Sequence, residues 1–192
     1  MAKTKQTYNK TSTVTPKGEA IWPALVTPDE QSDKFQIGVE VVEGSSEWEP
    51  VLSQLLSFQN KCLREAGEDE SDSLLCLKPI KEKDEKTEKY VDKGRRQIIF
   101  KSADRSKFKV VGADKKPFDD EVNFGATVRV NGTAAFGFMK SDPYVTLYIN
   151  AVQVIENGSS SGVDAFDDET GGSDEGSDGF NDETDHDSVD LA

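Results

Sequence analysis

Between Lys34 and Val41 the apolar side chains recur at every second position: Phe35, Ile37, Val39 and Val41. That is the spacing of a strand with one face toward a core. The stretch before it, "GEAIWPALVTP", has the same β-forming character, and the two predict a hairpin. The period then changes. Val51, Leu52, Leu55, Leu56, Phe58 and Leu63 fall on a helical stripe, with Ser45 or Ser46 available as N-cap and Gly67 after the last turn, so one helix is expected here. Residues 68–89 read as a charged connection around a short apolar patch, with the mixed-sign run 81–89 an exposed loop or hairpin. From Tyr90 the strand signal returns. "RRQIIFK" and "KFKVVG" flank "SADRS" as a second hairpin, and "ATVRVNGTAAFGFMK" carries at Asn131-Gly132 the pair typical of a tight primed turn. The last apolar stretch, "YVTLYINAVQVIE", puts Val145, Leu147, Ile149 and Ala151 on one face and Tyr144, Thr146, Tyr148 and Asn150 on the other.

Two strands, a helix and at least four more strands point to a mainly β chain: a small antiparallel barrel with one main α-helix, the five-stranded OB-fold type fitting this content. Charge divides the 192-residue chain further. Residues 157–192 hold twelve Asp and Glu and no Lys or Arg, whereas the rest has 25 acids against 23 bases. The net charge of −14 therefore belongs almost entirely to the C-terminal segment. With so few apolar residues it cannot offset the entropy of ordering, and a disordered acidic tail is expected. The body is polarised too: residues 78–116 carry fourteen bases against seven acids, and residues 29–72 three bases against twelve acids. The predicted organisation is a basic mobile arm over 1–17, a barrel domain over 18–156 and the tail over 157–192.

Composition excludes much chemistry. The single His186 lies in the tail, so neither a Ser/His/Asp nor a Cys/His arrangement has an ordered base. Cys62 and Cys76 are too few for a zinc site and read as buried thiols. There is no phosphate-cradling loop motif and no apolar run long enough to span a bilayer, so no cofactor, no metal and no membrane association are expected. The acids Asp119, Asp120 and Glu121 form the best cluster for a divalent cation, and a solvated loop explains them as well.

What remains is the interleaving of basic and aromatic residues in "YVDKGRRQIIFKSADRSKFKV". A single-stranded nucleic acid exposes phosphates and base faces together, so a groove for it needs cations and flat rings side by side. Lys93, Arg95, Arg96, Lys101, Arg105, Lys107 and Lys109 are the candidate phosphate contacts. Tyr90, Phe108, Tyr144, Tyr148 and Trp22 are the candidate stacking rings. Phe100 and Phe108 fit equally as core residues of alternating strands, Tyr144 and Tyr148 as ordinary packing, and Trp22 as core or platform.

In order and character, hairpin, helix "WEPVLSQLLSFQNKCLREAG", basic strands "RRQIIFKSADRSKFKVV", closing strands and acidic tail, the chain resembles the replicative single-stranded DNA-binding proteins of tailed bacteriophages. The resemblance implies an OB-fold with an extra helix and a non-enzymatic protein, monomer or homodimer, that coats single-stranded DNA in replication or recombination in the cytoplasm of an infected bacterium. It also implies a tail that competes with DNA for the basic groove and contacts replication proteins such as polymerase, helicase-primase or nuclease. Phe166, Asp167, Asp168, Glu169, Phe180, Asp182 and Glu183 are its candidate contacts. Relatives that dock through a terminal aromatic differ from this chain, which ends in Leu191 and Ala192. The alternatives are an acidic-tailed chaperone or interaction protein without nucleic-acid binding and, third, a metal-dependent nuclease. Whether the basic stretch and Tyr144 or Tyr148 line one groove separates them.

Overall fold

The computed structural model describes residues 9–83 and 89–158. Their elements are β1 (Lys10–Val14), β2 (Gly18–Asp29), β3 (Lys34–Val41), α1 (Glu49–Ala66), β4 (Leu77–Lys83), β5 (Tyr90–Ser102), a 3-10 turn (Arg105–Lys107), β6 (Lys109–Val111), β7 (Thr127–Met139) and β8 (Asp142–Glu156). The fold is mainly β with one helix. Pairing runs β7 to β2, β2 to β3, β3 to β5, β5 to β8 and back from β8 to β7, so five strands close into a ring, the strand number of the expected OB-fold. All five contacts are antiparallel except β5 with β8, which is parallel. Strands β1, β4 and β6 add to the outside of the ring, on β7, β5 and β8 respectively.

Alternation fills the ring. Ile37 and Val39 from β3, Ile98 and Phe100 from β5, Val128 and Val130 from β7, and Leu147, Ile149 and Val152 from β8 point inward and are buried. Phe100 lies over Gly132 of β7, whose missing side chain makes the room: a methyl there would collide with the ring and stand 2.7 Å from the Tyr148 carbonyl oxygen. Asn131-Gly132 is therefore no hairpin turn, contrary to the sequence expectation. It sits inside continuous β7, and the chain reverses at Lys140 and Ser141, with Met139 opposite Asp142 and Lys140 at φ +61°.

Two other expectations need correction. "SADRS" does not join a hairpin: Asp104 accepts from the Ser106 amide at 2.9 Å and turns the chain, and β6 then pairs in parallel with β8 at Ala151 to Gln153, beyond the stretch of β8 that β5 occupies. The helix starts after Trp48 rather than at a serine cap; the Ser45 carbonyl accepts from the Trp48 and Glu49 amides while the Trp48 ring is buried. Gly67 closes the helix in the left-handed conformation, as expected.

The mobile arm expected over residues 1–17 is corrected over Lys10–Val14, which is a strand bonded to β7; residues 1–8 lie outside the described residues. At the other end Asn157 and Gly158 are held by Asn123, whose amide donates to Asn157 Oδ1 at 2.9 Å and whose side chain donates to the Gly158 carbonyl at 2.7 Å. The tail residues named above, Phe166 to Glu183, lie outside the described residues. No helix among the described residues is long and apolar enough to cross a membrane.

Candidate nucleic-acid interface

The strand alternation that sends Ile98 and Phe100 inward sends Arg95, Gln97, Ile99 and Lys101 to the outer face of β5. Register then decides what stands beside them. Gln36 of β3 lies opposite Lys101, and on the parallel side Lys101 is paired with Tyr148. Along β8 the outward series is Tyr144, Thr146 and Tyr148, with Ala135 opposite Thr146 and Gly137 opposite Tyr144. Small neighbours leave the tyrosines room, and Tyr148 is 47% exposed.

These residues line a groove of about 510 Å³, with Lys34, Lys78 and Lys101 on its walls, Tyr144, Thr146 and Tyr148 along β8, and Met139 at the β7–β8 turn. Among the described residues no carboxylate lines it. Among the described residues none of the three lysines is in an ion pair, so their charge is available to an anion. One acid stands near: the Asp29 carboxyl is held below its usual range, chiefly by hydrogen bonds from Ser32 and to a lesser extent by Lys101. Cys76 also lines the groove, and burial pushes its thiol up to about 11, so at neutral pH it is a protonated, apolar wall.

The other candidates separate. Arg95 is held by a bidentate pair to Glu40, 2.7 Å at each contact, and reaches Glu19 at 3.3 Å, so its guanidinium is already neutralised. Arg96 points to the opposite face and binds Asp92 at 2.9 and 3.0 Å. Arg105 lies 4.7 Å over the Phe108 ring and donates to the Phe108 carbonyl. Phe108 itself is 4% exposed and meets Phe35 edge-on in the core, which corrects its reading as a stacking ring. Lys107 and Lys109 are exposed further along the same edge of β8. Lys93 falls within β5, and Tyr90, 67% exposed, stands at that strand's start, outside the groove. Trp22 is 60% exposed on β2. The groove thus unites Lys101 with Tyr144 and Tyr148, and adds Lys34, Lys78, Thr146 and Met139, which sequence reasoning missed. Lys34 was open to it, since it shares the outward parity of Gln36 in β3. Among the described residues no group of three or more His, Cys, Asp or Glu side chains could hold a metal ion.

Three solved structures share this fold over most of their length. The single-stranded DNA-binding protein gp2.5 of bacteriophage T7 superposes with a TM-score of 0.57 at 11% identity, covering 77% of this chain and 92% of its own. This chain shares that protein's fold. The corresponding protein of bacteriophage Enc34 matches at 0.55 and 14% identity over 86% of this chain and 90% of its own. Its complex with single-stranded DNA matches equally well, at 0.55 over 82% and 91%. No protein-family model and no curated protein matches the sequence.

Proposed function

We propose that this chain binds single-stranded DNA without catalysis and without strong sequence preference, coating it during phage replication or recombination in the infected bacterial cell. The observation that carries this reading is the groove itself, where three lysines that form no ion pair among the described residues stand beside two tyrosines. Phosphates and base faces would be met on one surface, which a duplex, with its bases stacked inside, does not offer. The phage proteins of the same fold, one of them solved with single-stranded DNA, support it. Among the described residues the groove's lining carries no carboxylate of the kind a metal-dependent nuclease needs as ligands.

Salt dependence tests the groove. Replacing Lys34, Lys78 and Lys101 by Ala removes up to three phosphate contacts, and the slope of log affinity against log salt for a single strand becomes shallower by about 2, at about 0.7 per contact. A wild-type slope in the triple variant removes these lysines from the interface; no binding to single strands by the intact chain favours the interaction-protein reading.

The acidic tail is the competitor and the partner contact in this proposal. The disorder expected from its composition gives the 34 residues after Gly158 a span of about 30 Å, long enough for the groove to be within reach in this proposal. Deleting residues 159–192 is expected to tighten binding, most at low salt, because the Debye length of about 8 Å near 0.15 M weakens a mobile acid's hold on an exposed groove. Equal affinities at low salt would leave the tail a docking role only.

A further inference from the structure

We propose that a second base-stacking platform, built from Trp22 and Phe124, lies on the same outer face as the groove and is engaged only by strands long enough to reach both. The proposal rests on the single-strand reading of the groove. Trp22 and Phe124 are 60% and 45% exposed, with ring centroids 4.9 Å apart and planes tilted by 46°. Large rings packed on one another outside the core leave π-faces open to a third. Trp22 is turned outward by a break in the β2–β3 register between Ile21 and Ala24, and it holds φ +46°, a strained value for a bulky side chain.

Continuity with the groove follows from the strands between. Register places Glu19 of β2 beside Glu40 of β3, since Ala20 pairs with Val39, and Arg95 of β5 binds both carboxylates. These three therefore share the outer face of the ring. Gly125, next to Phe124, stands with its Cβ position 3.9 Å from Glu19 Oε1, and its amide donates to the Ala20 carbonyl. Along β5, Arg95 and Lys101 occupy the same face about 20 Å apart, at about 3.3 Å per residue. Trp22 lies nearer to the groove than the Arg95 cluster does: Gln36 of β3 pairs with both Ala24 of β2 and Lys101 of β5, so the break between Ile21 and Ala24 that turns Trp22 outward is two strands from Lys101, about 10 Å at about 4.8 Å per strand. The β3 residues between them, Gln36 and Gly38, carry no charge, so the span offers phosphates little, and the far platform acts by stacking. Lengthening the strand raises affinity while leaving the salt slope nearly unchanged.

The chain carries its own probe. Its other tryptophan, Trp48, is 2% exposed, so quenching of tryptophan emission by DNA reports Trp22. Oligothymidines of about 4 and about 16 nucleotides, the two ends of the known range for such domains, are titrated into the full-length protein, with binding followed independently by anisotropy of a dye on the DNA. The longer strand is expected to quench the exposed tryptophan and the shorter to bind without quenching. Trp22→Ala and Phe124→Ala each weaken the longer strand roughly tenfold, within the range of one lost stack, and leave the shorter unchanged. Trp22→Phe keeps the affinity and loses the quench, and retained Trp48 emission certifies the fold of each Trp22 variant. Binding of the longer strand without quenching, or equal losses for both lengths, overturns the platform and leaves the groove standing. Failure of both strands to bind overturns the groove as well.

Discussion

Alanine at both Tyr144 and Tyr148 is expected to lower affinity for oligothymidine by at least about 30-fold. Each ring that stacks a base is worth about 1 to 3 kcal/mol by alanine substitution, so two give about 2 to 6 kcal/mol. Tyr148 stands beside Lys101 in the parallel pair and is 47% exposed, so its loss removes a contact surface with little packing. Tyr144 is half-buried, and part of its effect will be structural. Phenylalanine at both positions separates the two, because it keeps the π-face and gives up only the hydroxyl. Anisotropy titrations at fixed salt, with thermal melts of each variant, are the measurement. A loss below threefold in the double alanine variant, at unchanged salt slope, would mean that bases do not rest on β8.

Phe100→Ala is expected to destabilise the domain by about 3 to 5 kcal/mol, the range for deleting a fully buried aromatic ring. Its side chain is 0% exposed and reaches from β5 to Gly132 of β7 through the interior of the ring. The converse substitution tests the same fit from the other side: Gly132→Ala drives a methyl into that ring and toward the Tyr148 carbonyl oxygen, an overpacking cost of about 1 to 3 kcal/mol or more. Urea midpoints at constant slope give both values. Combining Gly132→Ala with Phe100→Leu should cost less than the two single changes together, since the smaller side chain withdraws from the added methyl. Strict additivity would show that the two residues do not share the space.

The helix and β8 were legible because their periods run long: Val51 to Leu63 keeps a helical stripe, and Tyr144 to Asn150 keeps strict alternation. Past Asn150 the pattern misleads. A register shift opposite Asn131 and Gly132 moves Ala151 outward and brings Val152 and Val154 in. Asn131-Gly132 deceived for a related reason: its glycine answers to Phe100, not to a turn, and that neighbour is distant in sequence. Position also outran composition in the site. Arg95 belongs to the most basic stretch of the chain, yet Glu19 and Glu40, far upstream, take its charge. Lys34 and Lys78 sit in or beside acidic or mixed segments, and only the closing of the ring brings them to Lys101. Exposure decided the aromatics, putting Phe108 in the core and Trp22 in solvent.

The parallel contact between β5 and β8 bears on how the chain is made as well as on its shape. As it leaves the ribosome, β3 can zip onto β2 at once, but Gly18 waits for Val128 and Phe100 for Leu147. Contacts so far apart carry a loop-closure cost that local pairing does not repay early, so assembly is slow and concentrated at its end. Until β8 has been synthesised, β5 has only β3 and β4 beside it and Phe100 has no enclosure. Nascent chains of this protein thus pass through a long interval in which bare strand edges invite association with one another, and release from that interval comes with the last fifteen residues of the sheet.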